Sequence, residues 1–306
     1  VTLFKVGGIK MIVHPILIIL FKAGLIVLAV GAIAYLCACL FMFFRQTRFI
    51  FLPSRLISIT PDDLGLSYQD IELKIPTPSG KIEMIHCWWI PSETNPNQKV
   101  IIDLHGNRNT IEGNIGYAEQ FHEMGLSVLL VEYRGYGRST NRFPSEKTVY
   151  QDVEAAWNYL VNKRQINPDN IYVFGHSLGG AIAIDLAFKH PEIAGLIIES
   201  SFTNIREMID YKNKYWMFPI NLILTQKFDS LAKISTLKMP LLFTHGTEDE
   251  LIPKTMSEDL FNAATEPKQL LIVAGAGHNN VRQVGGNQYW KTVQQFLTLQ
   301  SQKPGF

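Results

Sequence analysis

Cysteine is scarce in this 306-residue chain: there are three, and two of them, Cys37 and Cys39, lie inside one long apolar run. Cys87 alone is left for everything downstream, so no disulfide can staple that part, and a disulfide-built secreted miniprotein is excluded. An excess of either charge is lacking too, since 28 basic residues face 27 acidic ones. A nucleic-acid binder that works through a broad basic surface does not fit that balance. Repeats and low-complexity tracts are absent, and 47% hydrophobic against 18% charged residues excludes intrinsic disorder. Neither H-E-x-x-H nor G-x-G-x-x-G occurs. No metal and no cofactor is therefore expected.

Charge is missing altogether from residues 23–44, AGLIVLAVGAIAYLCACLFMFF, between Lys22 and Arg45. As a helix rising about 1.5 Å per residue, this run would cover roughly 33 Å, one hydrocarbon core. The expectation is a single-pass membrane protein: a transmembrane helix over about 23–44 in an anchor of residues 1–47, followed by a catalytic domain over 48–306. Residues 11–21 are also apolar but carry His14 and Pro15, and read as an interfacial stretch or an extension of the span. A cleaved signal peptide fits less well, because the run exceeds a usual signal core and no small-x-small site follows. A lipoprotein site at Cys39 is weaker still, with Cys37 where a small or aliphatic residue belongs. Lys5, Lys10 and Lys22 on one flank balance Arg45, Arg48 and Arg55 on the other, so the side of the membrane stays open.

After a polar linker the chain alternates short apolar runs with helical patterns. Strands are expected at 71–75, 83–89, 100–104, 128–131, 171–174, 196–198, 241–244 and 270–273, and helices at 111–124, 145–164, 178–189, 255–264 and 289–299. The first two strands are joined by a hairpin-sized turn, so the sheet should start antiparallel and continue parallel, with helices on both faces. In such an α/β fold, functional groups collect where parallel strands end. One of those ends reads Gly175-His176-Ser177-Leu178-Gly179, between an apolar strand and an Ala-rich helix. An abrupt strand-to-helix turn strains the residue at its corner, and glycines two before and two after give it room. Ser177 would stand exposed above a helix N-terminus whose amides suit an oxyanion.

A serine hydroxyl needs a base held in one tautomer by a carboxylate. His278 is the last histidine in the chain and the natural base for the order serine, acid, histidine. Asp249, just beyond the seventh strand, is the expected acid, with Glu199 at the end of the sixth as its alternative. The backbone amides of Asn107 and Leu178 are the expected oxyanion donors, although Asn107 also reads as a loop-shaping residue. A zinc site from His105, His176 and His245 is conceivable, but each is fixed in a tight turn, and structural hydrogen bonding is the better reading. Asp103 sits in an otherwise apolar strand and reads as a strand-end or partly solvated carboxylate.

Seven motifs in order carry a resemblance: LHGN at 104–107, EYRGYGRS at 132–139, GHSLGG at 175–180, ESSFTN at 199–204, FDSLAKI at 228–234, THGTEDELIP at 244–253 and GAGHNN at 275–280. Residues 48–300 resemble the α/β-hydrolases, in particular membrane-anchored abhydrolase-domain serine hydrolases with lysophospholipase-like or serine-aminopeptidase-like relatives. The resemblance implies an eight-stranded, mostly parallel sheet with a small cap at 202–230, Ser177 as nucleophile, Asp249 as acid, His278 as base, and Asn107 and Leu178 as oxyanion donors. The cap contains YKNKYWMFP and then an apolar INLIL. It reads either as an acyl-binding or membrane-facing surface or as an ordinary cap buried on the core. The expected partners are a small-molecule ester or acyl substrate of lipid type and the membrane, with no nucleic acid. The expected reaction is hydrolysis of an ester or thioester through an acyl-enzyme. Peptide hydrolysis and a silent binding module are the alternatives.

Overall fold

Continuous apolar runs such as Ile171–Phe174 can satisfy their backbone only in the middle of a sheet covered on both faces, and the computed structural model places them there. It describes residues 2–6, 9–13, 15–94 and 98–299. In chain order come β1 (Thr2–Val6), β2 (Ile9–Val13), α1 (Pro15–Ile50), β3 (Gln69–Pro76), β4 (Ile82–Ile90), β5 (Val100–Leu104), α2 (Ile115–Glu123), β6 (Ser127–Val131), α3 (Glu146–Asn158), β7 (Ile171–His176) and α4 (Leu178–Lys189). They are followed by β8 (Gly195–Glu199), α5 (Ile205–Lys212), α6 (Ile220–Ile223), α7 (Ser230–Ile234), β9 (Leu241–Gly246), α8 (Lys254–Ala263), β10 (Lys268–Val273) and α9 (Val281–Leu299). All eight expected strands belong to one sheet, in the order β10-β9-β8-β7-β5-β6-β4-β3. Pairing is antiparallel from β3 through β4 to β6 and parallel from β6 to β10.

The period of two along each strand sorts the core into two layers. Val100, Ile102 and Leu104 belong to the layer that includes α3, α4 and α8, whereas Ile101 belongs to the layer that includes α2 and α9. Asp103 shares the parity of Ile101 and is only 1% exposed. This differs from the partly solvated carboxylate expected from sequence, because the residue lies within the central strand, under α2, and not beyond its end. Its carboxylate accepts a hydrogen bond from the Asn114 amide. Burial pushes its pKa up to about 8. An acid raised in the folded state contributes stability that is fully present below its unfolded pKa of about 3.9 and is lost as pH rises toward 8. Asp103→Asn removes this titration, so its melting temperature should gain on that of the unsubstituted chain as the pH rises from 5 to 8, by about 1.4 kcal/mol per pH unit in stability. Melting curves across that range check the slope. A gap that stays constant with pH counts against the buried neutral acid.

Residues 1–46 and 215–225 form one compact unit, and residues 47–214 with 226–306 form the other. In the first, β1 and β2 pair as an antiparallel hairpin, which the sequence did not announce. Helix α1 has 36 residues and is apolar on every side, and no residue of its most apolar stretch is buried. By length and composition it could cross a bilayer. It extends past both ends of the uncharged run, because Lys22 and Arg45 limit what lipid tolerates but do not break a helix.

Candidate active site

The backbone at the β7–α4 corner comes first. Ser177 has φ 57° and ψ −118°, a positive φ at a residue with a side chain. Strain of this kind costs roughly 1–3 kcal/mol and persists only where the surroundings impose it. The glycines around Ser177 are imposed by contact. A Cβ on Gly175 would lie 2.3 Å from the Gly179 carbonyl oxygen, and one on Gly179 would lie 2.0 Å from the Leu104 carbonyl oxygen. The turn is thus pressed against the end of β5, and the His105–Asn107 loop runs beside the serine. A Cβ on Gly106 would stand 3.5 Å from the Ser177 Cβ.

The structure brings Ser177, His278 and Asp249 into one line. The Ser177 hydroxyl and His278 Nε2 are 3.0 Å apart, and His278 Nδ1 lies 2.7 Å from Asp249 Oδ2. A carboxylate only accepts, so Nδ1 carries the proton and Nε2 is left to accept from the serine. Asp249 arrives from the loop after β9 and His278 from the loop after β10, both at the carboxyl edge of the sheet. Burial pushes the Asp249 carboxyl up, but hydrogen bonds from His245, His278 and the Ile252 amide outweigh it and hold the group well below the usual carboxylate range. Asp249 Oδ1 accepts from the amides of Leu251 and Ile252, each at 2.9 Å.

His245 is the contributor that the sequence reading did not assign. Its Nδ1 lies 2.7 Å from the Ser257 hydroxyl, while its Nε2 lies 3.0 Å from the Ile252 carbonyl and 3.1 Å from Asp249 Oδ2. The two acceptors at Nε2 place the proton there, so His245 donates to Asp249 Oδ2, the same oxygen that faces His278. The spacing of four residues between His245 and Asp249 was visible, but nothing in a tight turn distinguishes such a clamp from any other histidine.

The other candidates fall into place around this line. Glu199, the alternative acid, takes the hydroxyls of Tyr117 and Thr244. His176 Nε2 is 3.0 Å from the His278 carbonyl, so it donates to that loop, and burial holds its pKa below the ordinary value. His105 Nε2 is 3.1 Å from Glu132. Among the described residues there is no cluster of His, Cys, Asp or Glu able to hold a metal ion. Leu178 opens α4, where the first amides lack intrahelical partners. The Asn107 carbonyl accepts from the Leu52 amide at 3.1 Å and the Tyr136 hydroxyl at 2.7 Å, and its side chain donates to the Ile50 carbonyl at 2.9 Å. Three bonds from two segments, residues 50–52 and Tyr136, hold this residue beside the serine.

Known proteins share this architecture. A model of the serine aminopeptidase S33 family matches residues 95–232. An uncharacterized protein of Mycobacterium tuberculosis is 31% identical over 274 residues, 89% of this chain and 94% of its own. The alpha/beta hydrolase domain-containing protein 17B of Homo sapiens is 32% identical over 229 residues, 72% of this chain and 74% of its own. Among solved structures, the Pyrococcus furiosus esterase Pf2001 superposes with a TM-score of 0.67 at 22% identity, covering 82% of this chain and 99% of the esterase.

Proposed function

Since the chain belongs to the α/β-hydrolase superfamily, we propose that it is a membrane-anchored serine hydrolase that cleaves an ester or thioester through an acyl-enzyme. The observation that carries this reading is the unbroken line from Ser177 Oγ through His278 to Asp249, at 3.0 Å and 2.7 Å. His278 takes the Ser177 proton as the oxygen attacks the substrate carbonyl, and Asp249 stabilises the imidazolium that forms. The amides of Leu178 and Asn107 receive the oxyanion. Collapse of the tetrahedral species expels the alcohol or thiol, which takes the proton from His278. Water then repeats the sequence on the acyl-enzyme and frees Ser177. Helix α1, apolar all round and exposed, supports a lipid-type acyl substrate, since it would hold the enzyme where such acyl groups are concentrated.

Turnover of p-nitrophenyl esters of rising acyl length, with matching thioesters, tests the substrate class. The expected result is a kcat/KM that climbs with chain length. A flat or short-chain-only response removes the lipid reading. Faster release from aminoacyl p-nitroanilides would favour the peptidase alternative, which the family match at residues 95–232 supports.

A further inference from the structure

The segment 215–225 travels with the apolar helix, and this bears on where the bilayer ends. The Tyr35 hydroxyl donates to the Met217 carbonyl at 2.8 Å, and its ring stacks on Phe218. One turn before the end of α1, Gln46 donates from Nε2 to the Ile223 carbonyl at 3.2 Å and accepts the Thr225 amide at 2.8 Å. The segment therefore lies along α1 from Tyr35 to Gln46, about 17 Å at the helical rise. It is turn-rich, with only the four-residue α6, and Asn221 on it is exposed. Trp216 and Leu222 are exposed as well, at 78% and 82%, as is Met217.

If the whole uncharged run 23–44 filled the hydrocarbon, Tyr35 would lie about 13 Å inside it, close to the mid-plane. The irregular segment bonded to it would then sit in lipid, which does not host turn backbone on its exposed side. The span that avoids this runs from Pro15 to Tyr35, about 31 Å and again one hydrocarbon core. Lys22 would then lie about 10 Å from its N-terminal end and could snorkel toward that surface. Tyr35 and Trp216 would fall at the opposite interface, where aromatic side chains with a polar edge collect.

We propose that the hydrocarbon boundary lies at Tyr35, nine residues before the end of the uncharged run, and that residues 215–225 form an interfacial foot whose partner is the lipid headgroup region. This rests on α1 being a membrane anchor, a part of the proposed function.

The native cysteines read the boundary directly. Cys37 is exposed and Cys39 half-buried on α1, whereas Cys87 is buried in the sheet with its thiol pushed up by that burial. With the boundary at Tyr35 both helix cysteines lie outside the hydrocarbon. With a span of 23–44, Cys37 lies about 10 Å within it. The full chain in unsealed membranes is treated with a water-soluble maleimide, and Trp216 fluorescence, taken as the difference from Trp216→Phe, is measured in vesicles of brominated phosphatidylcholine. The expected outcome is ready labelling that Cys37→Ser largely removes, with stronger quenching by bromines near the headgroup end of the acyl chain. Labelling only after detergent dissolves the membrane, or strongest quenching by bromines near the methyl end, overturns the boundary and leaves the anchor standing. Release of the whole chain from membranes by alkaline carbonate overturns the anchor and the boundary with it.

Discussion

Replacing Ser177 with Ala should lower kcat by about 10⁶-fold, the scale set by removing the serine from a triad elsewhere. Only the acceleration due to the oxyanion amides and substrate binding would survive, about 10³–10⁴ over water. The structure makes this a clean substitution. At φ 57° and ψ −118° the backbone strain belongs to any residue with a Cβ, so Ser177→Ala inherits it unchanged and loses only the hydroxyl. Its melting temperature should match that of the parent chain, and a fluorophosphonate probe that labels the parent should leave the variant unmarked. Equal labelling of both, or turnover within tenfold of the parent, would remove the acyl-enzyme mechanism.

Asp249→Asn should cost about 10⁴-fold in kcat, through the wrong histidine tautomer. The four donors around Asp249 decide the outcome. Its Oδ1 receives the Leu251 and Ile252 amides, so an asparagine has to keep its carbonyl oxygen there. The amide nitrogen is then turned toward His245 and His278, where the carboxylate had accepted. Facing a donor, His278 protonates Nε2 instead of Nδ1 and presents Ser177 with a proton instead of a lone pair. The fold should survive in a weakened form, since His245 loses an acceptor. Glu199→Gln alters no contact of His278 and serves as the comparison. If it costs as much as Asp249→Asn, the acid has been misassigned.

The sequence was most legible where one residue type has only one use. The runs 100–102, 171–174 and 241–243 are apolar without alternation, which a sheet covered on both faces explains, and they belong to central strands. Ser177, Asp249 and His278 stand just beyond strand ends, so chain order and edge position were enough to nominate them, and the structure brings all three together. Sequence periodicity says nothing of contacts between distant side chains and backbone. The approach of Tyr35 to the Met217 carbonyl crosses 182 positions and obeys no pattern. Asp103 departs from its sequence expectation for a related reason. A single carboxylate in an apolar strand looks like a strand end, and only the position of Asn114 reveals an acid kept neutral in the core. The hairpin of β1 and β2 is not legible because its ten residues fall within the stretch 1–47 that reads as one anchor.

The three bonds that Asn107 makes have a practical meaning for anyone wishing to prepare a version without the apolar helix. Ile50 and Leu52, which supply two of them, look from composition like dispensable remnants of the anchor, and Phe51 between them is buried against Phe228. A truncation drawn at the visible end of apolar sequence, in the low fifties, would remove the buried Phe51 and loosen Asn107, whose amide is proposed to receive the oxyanion. The safe cut is ahead of Thr47, with the last turn of the helix kept because it positions Asn107.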